Sequence, residues 1–559
     1  MPGPELFRGE RFKIALVFPP PMFPMSPPLG IASLKAFLDR GSDCSVRNFD
    51  LNLAYSEQTF EWLTAGRLRV AVKGSDRKST AEQASAAREF FLGGCGLKRF
   101  FDPREYESHA RVYSGFGSVV NGLFDNFSRR ILLELPVPPL VRRFFDELIE
   151  PVKAFKPDLV GFSILFSQQL FFALALAKLC RESGMKTVFG GATFSVMPDP
   201  GRLLAGPVPV LAGKEGGDLE PAGIIDFLLM GEGEIGLQKL AEILGHGKGQ
   251  LSDVPGLIRL EGGNLQMNPP EAVRGLNSLP PPDFSDFELG RYHSPLPVLP
   301  YLSSRGCPWR RCAFCTHRKT YLDYREESAE HTAGRLAEMR EKYGVSHFSL
   351  VDEMIHPHRL RGISSALIEK GSKLFYSAYA KPERFDSDTL GQGYEAGLRL
   401  VMWGVEAGSQ RVLDLMRKGT QIENVEGIIK GAHSCGIWNL LFVLFGFPTE
   451  TEVEMRSTVD LLERLGDSVD AVSKSLFVLL EGSNVYNEPE RYRITKILDR
   501  LQRDPVSIAY DYEVEDGLSQ QQAAALFGEL APRLADIGRS PWFGQFREHM
   551  LLFASSARR

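Results

Sequence analysis

From residue 297 onward the chain repeats one pattern six times, a short apolar run followed by a stretch of helical character. The runs are PVLPYLSSR, HFSLVDE, KLFYSAYAK, RLVMWGVEA, WNLLFVLFGFP and AVSKSLFVLL. A helix between two strands returns the chain to the same edge, so successive strands must lie parallel. Six such units predict a partial (β/α)6 barrel with its catalytic face at the C-terminal ends of the strands.

The first half reads as a second α/β unit. Residues 12–50 run strand, loop, helix, strand, and the rhythm resumes at KPDLVGFSIL, MKTVFGG and DFLLMGEGEIGLQKLAEIL. Runs this apolar predict a parallel sheet covered on both faces, a doubly wound fold. Residues 52–145 interrupt it and read as a helical insertion, whose Arg67, Arg69, Lys73, Arg77 and Lys78 read as a solvated basic face. The proline-rich NSLPPPDFSDFELGRY forbids regular helix and marks a linker. The expected division is 1–285, a linker at 286–296, a barrel at 297–500 and a small C-terminal helical region at 501–559, where Ser519 and Gln522 suggest a capping box.

At 559 residues with 43% hydrophobic side chains the chain can bury a large core, and a net charge of -5 without single-sign blocks gives no reason to expect nucleic acid as partner. The apolar stretch at 14–18 ends in three prolines, and no apolar run approaches the ~18 residues of a bilayer span. The expectation is a cytoplasmic protein.

Four of the seven cysteines are scattered, and three sit on one loop directly after the first barrel strand, in SSRGCPWRRCAFCTHRKTY. Cys307, Cys312 and Cys315 are separated by four and two residues. Three thiolates suit a four-iron cluster with one iron open to an external ligand. Ligand type and spacing alone also admit a zinc ion held by the three cysteines and His317.

This loop resembles the cysteine motif of the radical S-adenosylmethionine (SAM) superfamily, including the aromatic Phe314, although the family motif has three residues in the first gap. The resemblance continues through Asp352 and Glu353 closing the second barrel strand, Glu406 in WGVEAGSQRVLDLMRKG, and Gly446 in GFPTET. It implies a [4Fe-4S] cluster on Cys307, Cys312 and Cys315, with Asp352, Glu353, Glu406 and Gly446 around SAM. Each also has an ordinary use: acids cap helices, and glycine permits a tight strand exit.

A doubly wound sheet binds ligands beyond the carboxyl ends of its strands. Those ends here carry Pro28, Leu29 and Gly30, Ser163, Gly190 and Gly191, and Gly231, Glu232 and Glu234. Common βα turn chemistry accounts for such residues equally well. Together the segments resemble the Rossmann-like cobalamin-binding domain that precedes the barrel in one branch of the radical SAM enzymes. Its Asp-x-His-x-x-Gly signature is absent, so the resemblance implies cobalamin bound without a protein histidine on cobalt, the His-off form.

The function implied is a radical SAM enzyme that cleaves SAM reductively and uses cobalamin, with methylation of an unactivated carbon first. A cobalamin-dependent cyclase or rearrangement enzyme without methyl transfer, and a corrinoid-binding sensor without catalysis, are the alternatives. The partners implied are a small-molecule or peptide substrate and an electron donor such as flavodoxin or ferredoxin.

Overall fold

The computed structural model describes residues 11–71, 77–211, 217–498, 507–535 and 537–557. Lys73 and the expected boundary at 500/501 lie outside them. The first sheet contains five parallel strands, β1 (Phe12–Phe18), β2 (Cys44–Asp50), β3 (Leu159–Ser163), β4 (Lys186–Gly190) and β5 (Phe227–Leu229), in the spatial order β2-β1-β3-β4-β5. Beyond β5, β6 (Leu257–Glu261) and β7 (Asn264–Met267) continue the sheet antiparallel. Strand order reverses between β1 and β3, which places the ligand crevice of this topology outside their C-terminal ends.

Between β2 and β3 the chain is helical, as its sequence predicts. Helices Leu51–Thr64, Arg77–Phe91, Pro103–Leu132 and Pro139–Phe155 bury Tyr55, Phe91, Tyr106, Phe124 and Phe144 in one aromatic core. The Asp102 side chain starts the longest of them by accepting from the Arg104 and Glu105 backbone N–H groups, which have no partner inside the helix.

The second sheet has six parallel strands, each beside the next: β8 (Val298–Tyr301), β9 (His347–Leu350), β10 (Phe375–Ala380), β11 (Leu398–Glu406), β12 (Trp438–Phe445) and β13 (Ala471–Leu476). Alternation along the strands divides their side chains. Val401, Trp403 and Leu441 pack outward beneath the helices, while Leu400, Met402 and Leu440 turn inward. This is the open barrel that the six repeats predict.

The C-terminal stretch contains the two helices Gln520–Ala535 and Arg547–Ser556 and, ahead of them, a strand that helical patterning does not anticipate. That strand, Ala509–Val514, pairs antiparallel with Leu479–Leu480 and Ile494–Leu498. Helix Arg547–Ser556 seats against the inward face of the barrel. Its Ser555 Oγ lies 2.9 Å from His347 Nε2 at the first residue of β9, and Arg547 Nη1 donates to the Tyr379 hydroxyl at 2.7 Å near the end of β10. The helix therefore runs opposite to the strands, with its N-terminus toward their C-terminal ends. Its other side packs His549 and Phe553 on Phe100 and Tyr106 of the insertion. Among the described residues no helix is long and apolar enough to cross a membrane.

Candidate active site

The cysteine loop leaves the barrel through Ser304–Arg305, which pairs antiparallel with Arg325–Glu326. Cys307, Cys312 and Cys315 are free and half-buried. The loop is pinned at Trp309, whose indole N–H donates to the Arg417 carbonyl at 2.9 Å. The Trp309 ring lies against Gly419, where a Cβ would stand 2.2 Å from the indole, and Lys381 Nζ sits 3.6 Å from the ring centroid. The Ala313 N–H donates to the Met416 carbonyl at 2.8 Å. Within the first gap Arg310, beside the anchored tryptophan, takes the left-handed region, φ 49°. Burial raises the thiol pKa of Cys312, opposed by Lys418, and lifts Cys315 to about 12, with the Cys312 thiol adding to the shift.

Glu406 ends β11 at φ 68°, a conformation costly for a side chain with a Cβ. Its Oε1 accepts from Lys418 Nζ at 2.7 Å; Lys418 is buried and Glu406 partly so. The carboxylate, together with the neighbouring thiols, raises the Lys418 pKa against the opposing effect of burial. Lys381, paired with Glu383, donates to the Lys418 carbonyl at 3.2 Å. Gly446 also needs positive φ, 74°, and a Cβ there would lie 2.8 Å from the Ala523 Cβ. Its N–H and that of Phe447 donate to Glu450 Oε2 at 2.5 and 3.2 Å. Burial lifts the Glu450 pKa to about 7, and among the described residues its Oε1 has no partner.

Asp352 and Glu353 differ in what the fold asks of them. Asp352 is buried: Oδ2 accepts from the Ser303 hydroxyl at 2.9 Å, and Oδ1 accepts from the Ser304 hydroxyl at 2.6 Å and from its backbone N–H. That carboxylate fixes the exit of β8, so it is not displayed as a free ligand group as the resemblance implies. Glu353 is partly exposed and meets His317 Nδ1 at 3.2 Å. His317 is thereby occupied, and among the described residues no three His, Cys, Asp or Glu side chains form a candidate single-ion site.

At the first sheet's strand ends, Gly30 opens helix Leu29–Gly41 behind Pro28, with its Cβ direction facing Ser163 Oγ. These four positions adjoin the β1/β3 crevice, and Leu165 and Phe166 beside it are nearly half-exposed. The remaining strand-end residues serve packing. A Cβ on Gly191 would lie 2.4 Å from the Ile164 carbonyl oxygen, Gly190 lies under Leu229, and Gly231 takes φ 85° against Pro270. Glu232 and Glu234 are committed to ion pairs with the barrel. Arg305 Nη1 lies 2.5 Å from Glu232 and its Nη2 pairs with Glu234, while Arg325 also clamps Glu232. They join the two sheets and offer no free carboxylate to a ligand.

Lys418, Lys381 and Trp309 are site residues that the sequence reading passes over. Lys418 stands twelve positions from Glu406 in the same quoted segment. A cation so near a strand-end acid was the available signal.

Residues 301–462 match the radical SAM superfamily. An uncharacterized methyltransferase of Pyrococcus horikoshii is 24% identical over 328 residues, 57% of this chain and 67% of the relative. The cytidylyl-2-hydroxyethylphosphonate methyltransferase of Streptomyces wedmorensis is 27% identical over 380 residues, 58% of this chain and 65% of the relative. The anaerobic magnesium-protoporphyrin IX monomethyl ester cyclase of Cereibacter sphaeroides is 24% identical over 327 residues, 56% and 50%. The chain thus spans half to two thirds of these relatives' length. In structure it is similar to the cobalamin-dependent SAM radical enzyme OxsB, with TM-score 0.62, 16% identity, and 93% of this chain and 66% of that one covered. It is also similar to the radical SAM methyltransferase TsrM of Kitasatospora setae, with TM-score 0.55, 18% identity, and coverage of 86% and 78%. Residues 301–462 thus match a radical SAM domain, and the fold is similar to those of OxsB and TsrM.

Proposed function

We propose that this chain, a radical SAM protein by its residues 301–462, holds a [4Fe-4S] cluster on Cys307, Cys312 and Cys315, SAM beside it, and cobalamin at the β1/β3 crevice, and that it methylates an unactivated carbon. The observation that carries the reading is the pinning of the strand-end loop Gly231–Glu234 of the first sheet to the cysteine-bearing loop through Arg305 and Arg325. Ligands of the two sheets would therefore share one cleft.

The donors suit these groups. Three half-buried thiols, with no fourth cysteine beside them among the described residues, would leave one iron of a four-iron cluster open. Glu406, held in a strained conformation by Lys418, presents a fixed carboxylate and ammonium beside the thiols, the pair of charges that an amino acid's own amine and carboxylate would meet. Glu450 Oε1, beside Gly446 and without a partner among the described residues, would accept a donor there. Leu165 and Phe166 offer apolar surface to a large flat ring. Among the described residues His109 stacks on Phe90, and His246 ends a helix at the opposite edge. His293, which donates its backbone N–H to the Pro24 carbonyl, is buried with its ring on the Tyr113 hydroxyl, so none of the three is offered to the crevice, which supports His-off cobalamin. When bound, the reduced cluster with SAM supplies hydrogen abstraction from carbon, and the corrinoid supplies a transferable methyl group.

A depression of about 490 Å³ beside the cysteine loop is lined by Trp309, Arg310, Arg311 and Arg417 among others, and its basic rim suits an acidic electron donor such as flavodoxin or ferredoxin. A small-molecule or peptide substrate and a cytoplasmic site of action complete the proposal.

The test is anaerobic reconstitution with iron, sulfide and hydroxocobalamin, followed by metal analysis and product analysis. About four irons lost in a Cys307/Cys312/Cys315 triple-alanine variant, with about one cobalt kept, is the expected result. Methyl transfer requires both S-adenosylhomocysteine and 5′-deoxyadenosine among the products. Formation of 5′-deoxyadenosine alone favours the cyclase reading, which the Cereibacter relative supports. Zinc in place of iron refutes both. A protein nitrogen splitting in the paramagnetic resonance of the cob(II)alamin form refutes the His-off assignment.

A further inference from the structure

The barrel lumen is closed below by helix Arg547–Ser556, and its first residue points a guanidinium back into the lumen. Arg547 Nη1 donates to the Tyr379 hydroxyl at 2.7 Å and Nε to the Gly544 carbonyl at 3.2 Å. Its Cζ lies 5.1 Å from the Phe442 ring centroid and 5.9 Å from that of Tyr379, two rings whose planes differ by only 10°. Among the described residues no carboxylate lies within ion-pair distance of Arg547, and Nη2 donates to nothing. The adjacent Glu548 accepts instead from the Ser26 hydroxyl at 3.2 Å. A half-buried guanidinium with only neutral oxygen acceptors retains donors and charge for an anion.

Strand register sets its depth. Tyr379 is level with Met402 on β11, and Phe442 with Gly404. The register shifts between Gly404 and Glu406, and this bulge brings the Glu406–Lys418 pair over Gly404, where a Cβ would lie 2.9 Å from Glu406 Oε1 and 2.6 Å from Lys418 Nζ. At this level Gly404 and Ser473 are small, and they and the two rings are partly exposed, while Ser349 and Ser377 lie one inward layer below. A small molecule standing on Phe442 and Tyr379 would reach from Arg547 toward the Glu406–Lys418 pair and the cysteine loop. The positive end of the helix faces the same way and adds to the field of the guanidinium.

We infer that Arg547 binds a carboxylate or phosphate group of the substrate, anchoring a small anionic molecule in the barrel lumen with its far end toward the cysteines. The word substrate rests on the function proposed above, whereas the anion site does not depend on the cofactors.

The test is calorimetric titration of the reconstituted protein with phenylphosphonate, benzoate and neutral benzyl alcohol, with iron and cobalt measured on the same samples. Both anions should bind at least about tenfold more tightly than the alcohol, and the tighter of the two names the group. Arg547→Gln should weaken the anions about ten- to hundredfold, the span of a charge-assisted hydrogen bond, and leave benzyl alcohol unchanged. If that variant fails to fold, Arg547→Lys serves: it keeps the charge but loses the planar fork, and should weaken phenylphosphonate about fivefold or more. Absence of anion binding, equal binding of anions and alcohol, or unchanged affinity in the variants overturns the inference. Anion selectivity in a protein that takes up neither iron nor cobalt leaves the inference standing and removes the proposed function. Both cofactors without anion selectivity do the reverse.

Discussion

Arg305→Met removes one of the two arginines that join the two sheets, and the structure fixes what remains. Arg305 is buried with side-chain exposure of 10%, between Glu232 at 4% and Glu234 at 7%. Glu232 keeps Arg325 at 3.1 Å and the Val273 N–H at 3.2 Å. Glu234 keeps no cationic partner among the described residues and is left as an uncompensated buried charge. Breaking one side of a buried pair costs about 3–5 kcal/mol, whereas replacing both sides with apolar groups is close to neutral. Arg305→Met should therefore lower unfolding free energy by about 4 kcal/mol in urea, and the double variant Arg305→Met/Glu234→Leu should recover most of it. Because the pair is buried, the loss should change little between roughly 0.1 and 1 M salt. A loss below about 1 kcal/mol, or a double variant no more stable than the single one, refutes the view that this pair is a desolvated clamp between the sheets.

Gly419→Ala should strip iron from the reconstituted protein, because its Cβ would stand 2.2 Å from the Trp309 ring that anchors the cysteine loop at φ 70°; iron retention equal to that of the parent refutes the anchoring role. Gly446→Ala should destabilise by about 1–2 kcal/mol for the left-handed backbone plus about 1–3 kcal/mol for contact with Ala523, and adding Ala523→Gly should return only the second part in denaturant melts. His293 and His549 are buried neutral, with burial pressing their pKa values to about 3 and about 4. The unfolded chain binds these protons first, so stability is full above pH ~6.5 and falls as pH drops toward ~4, by about 1.4 kcal/mol per pH unit for each histidine. Equilibrium unfolding at stepped pH should show this slope reduced in His549→Gln; an unchanged slope refutes the assignment.

Much of the architecture is local and therefore legible in the chain. Each apolar run must bury itself in a sheet, and the helix after it forces a parallel neighbour, so six repeats dictate an open parallel barrel and the earlier βα units a covered sheet. The cysteine spacing was equally visible because all three thiols occupy one loop. Glu406 and Gly446 stood out as strand-end residues, and both take up conformations that a positive φ demands.

What the sequence does not disclose is which strand-end polar groups already have partners. Asp352 is consumed by Ser303 and Ser304, and Glu232 and Glu234 by arginines more than seventy positions away. Such pairings cross between separate elements, and no periodicity encodes them. The C-terminal helix reads as an appendage because its pattern shows only that one face is apolar. That this face fills the barrel floor, and sets Arg547 without a carboxylate among aromatic rings, is decided by the packing of elements some 170 residues apart in the chain. Burial makes an unpaired charge costly or purposeful, and burial is a property of the folded whole.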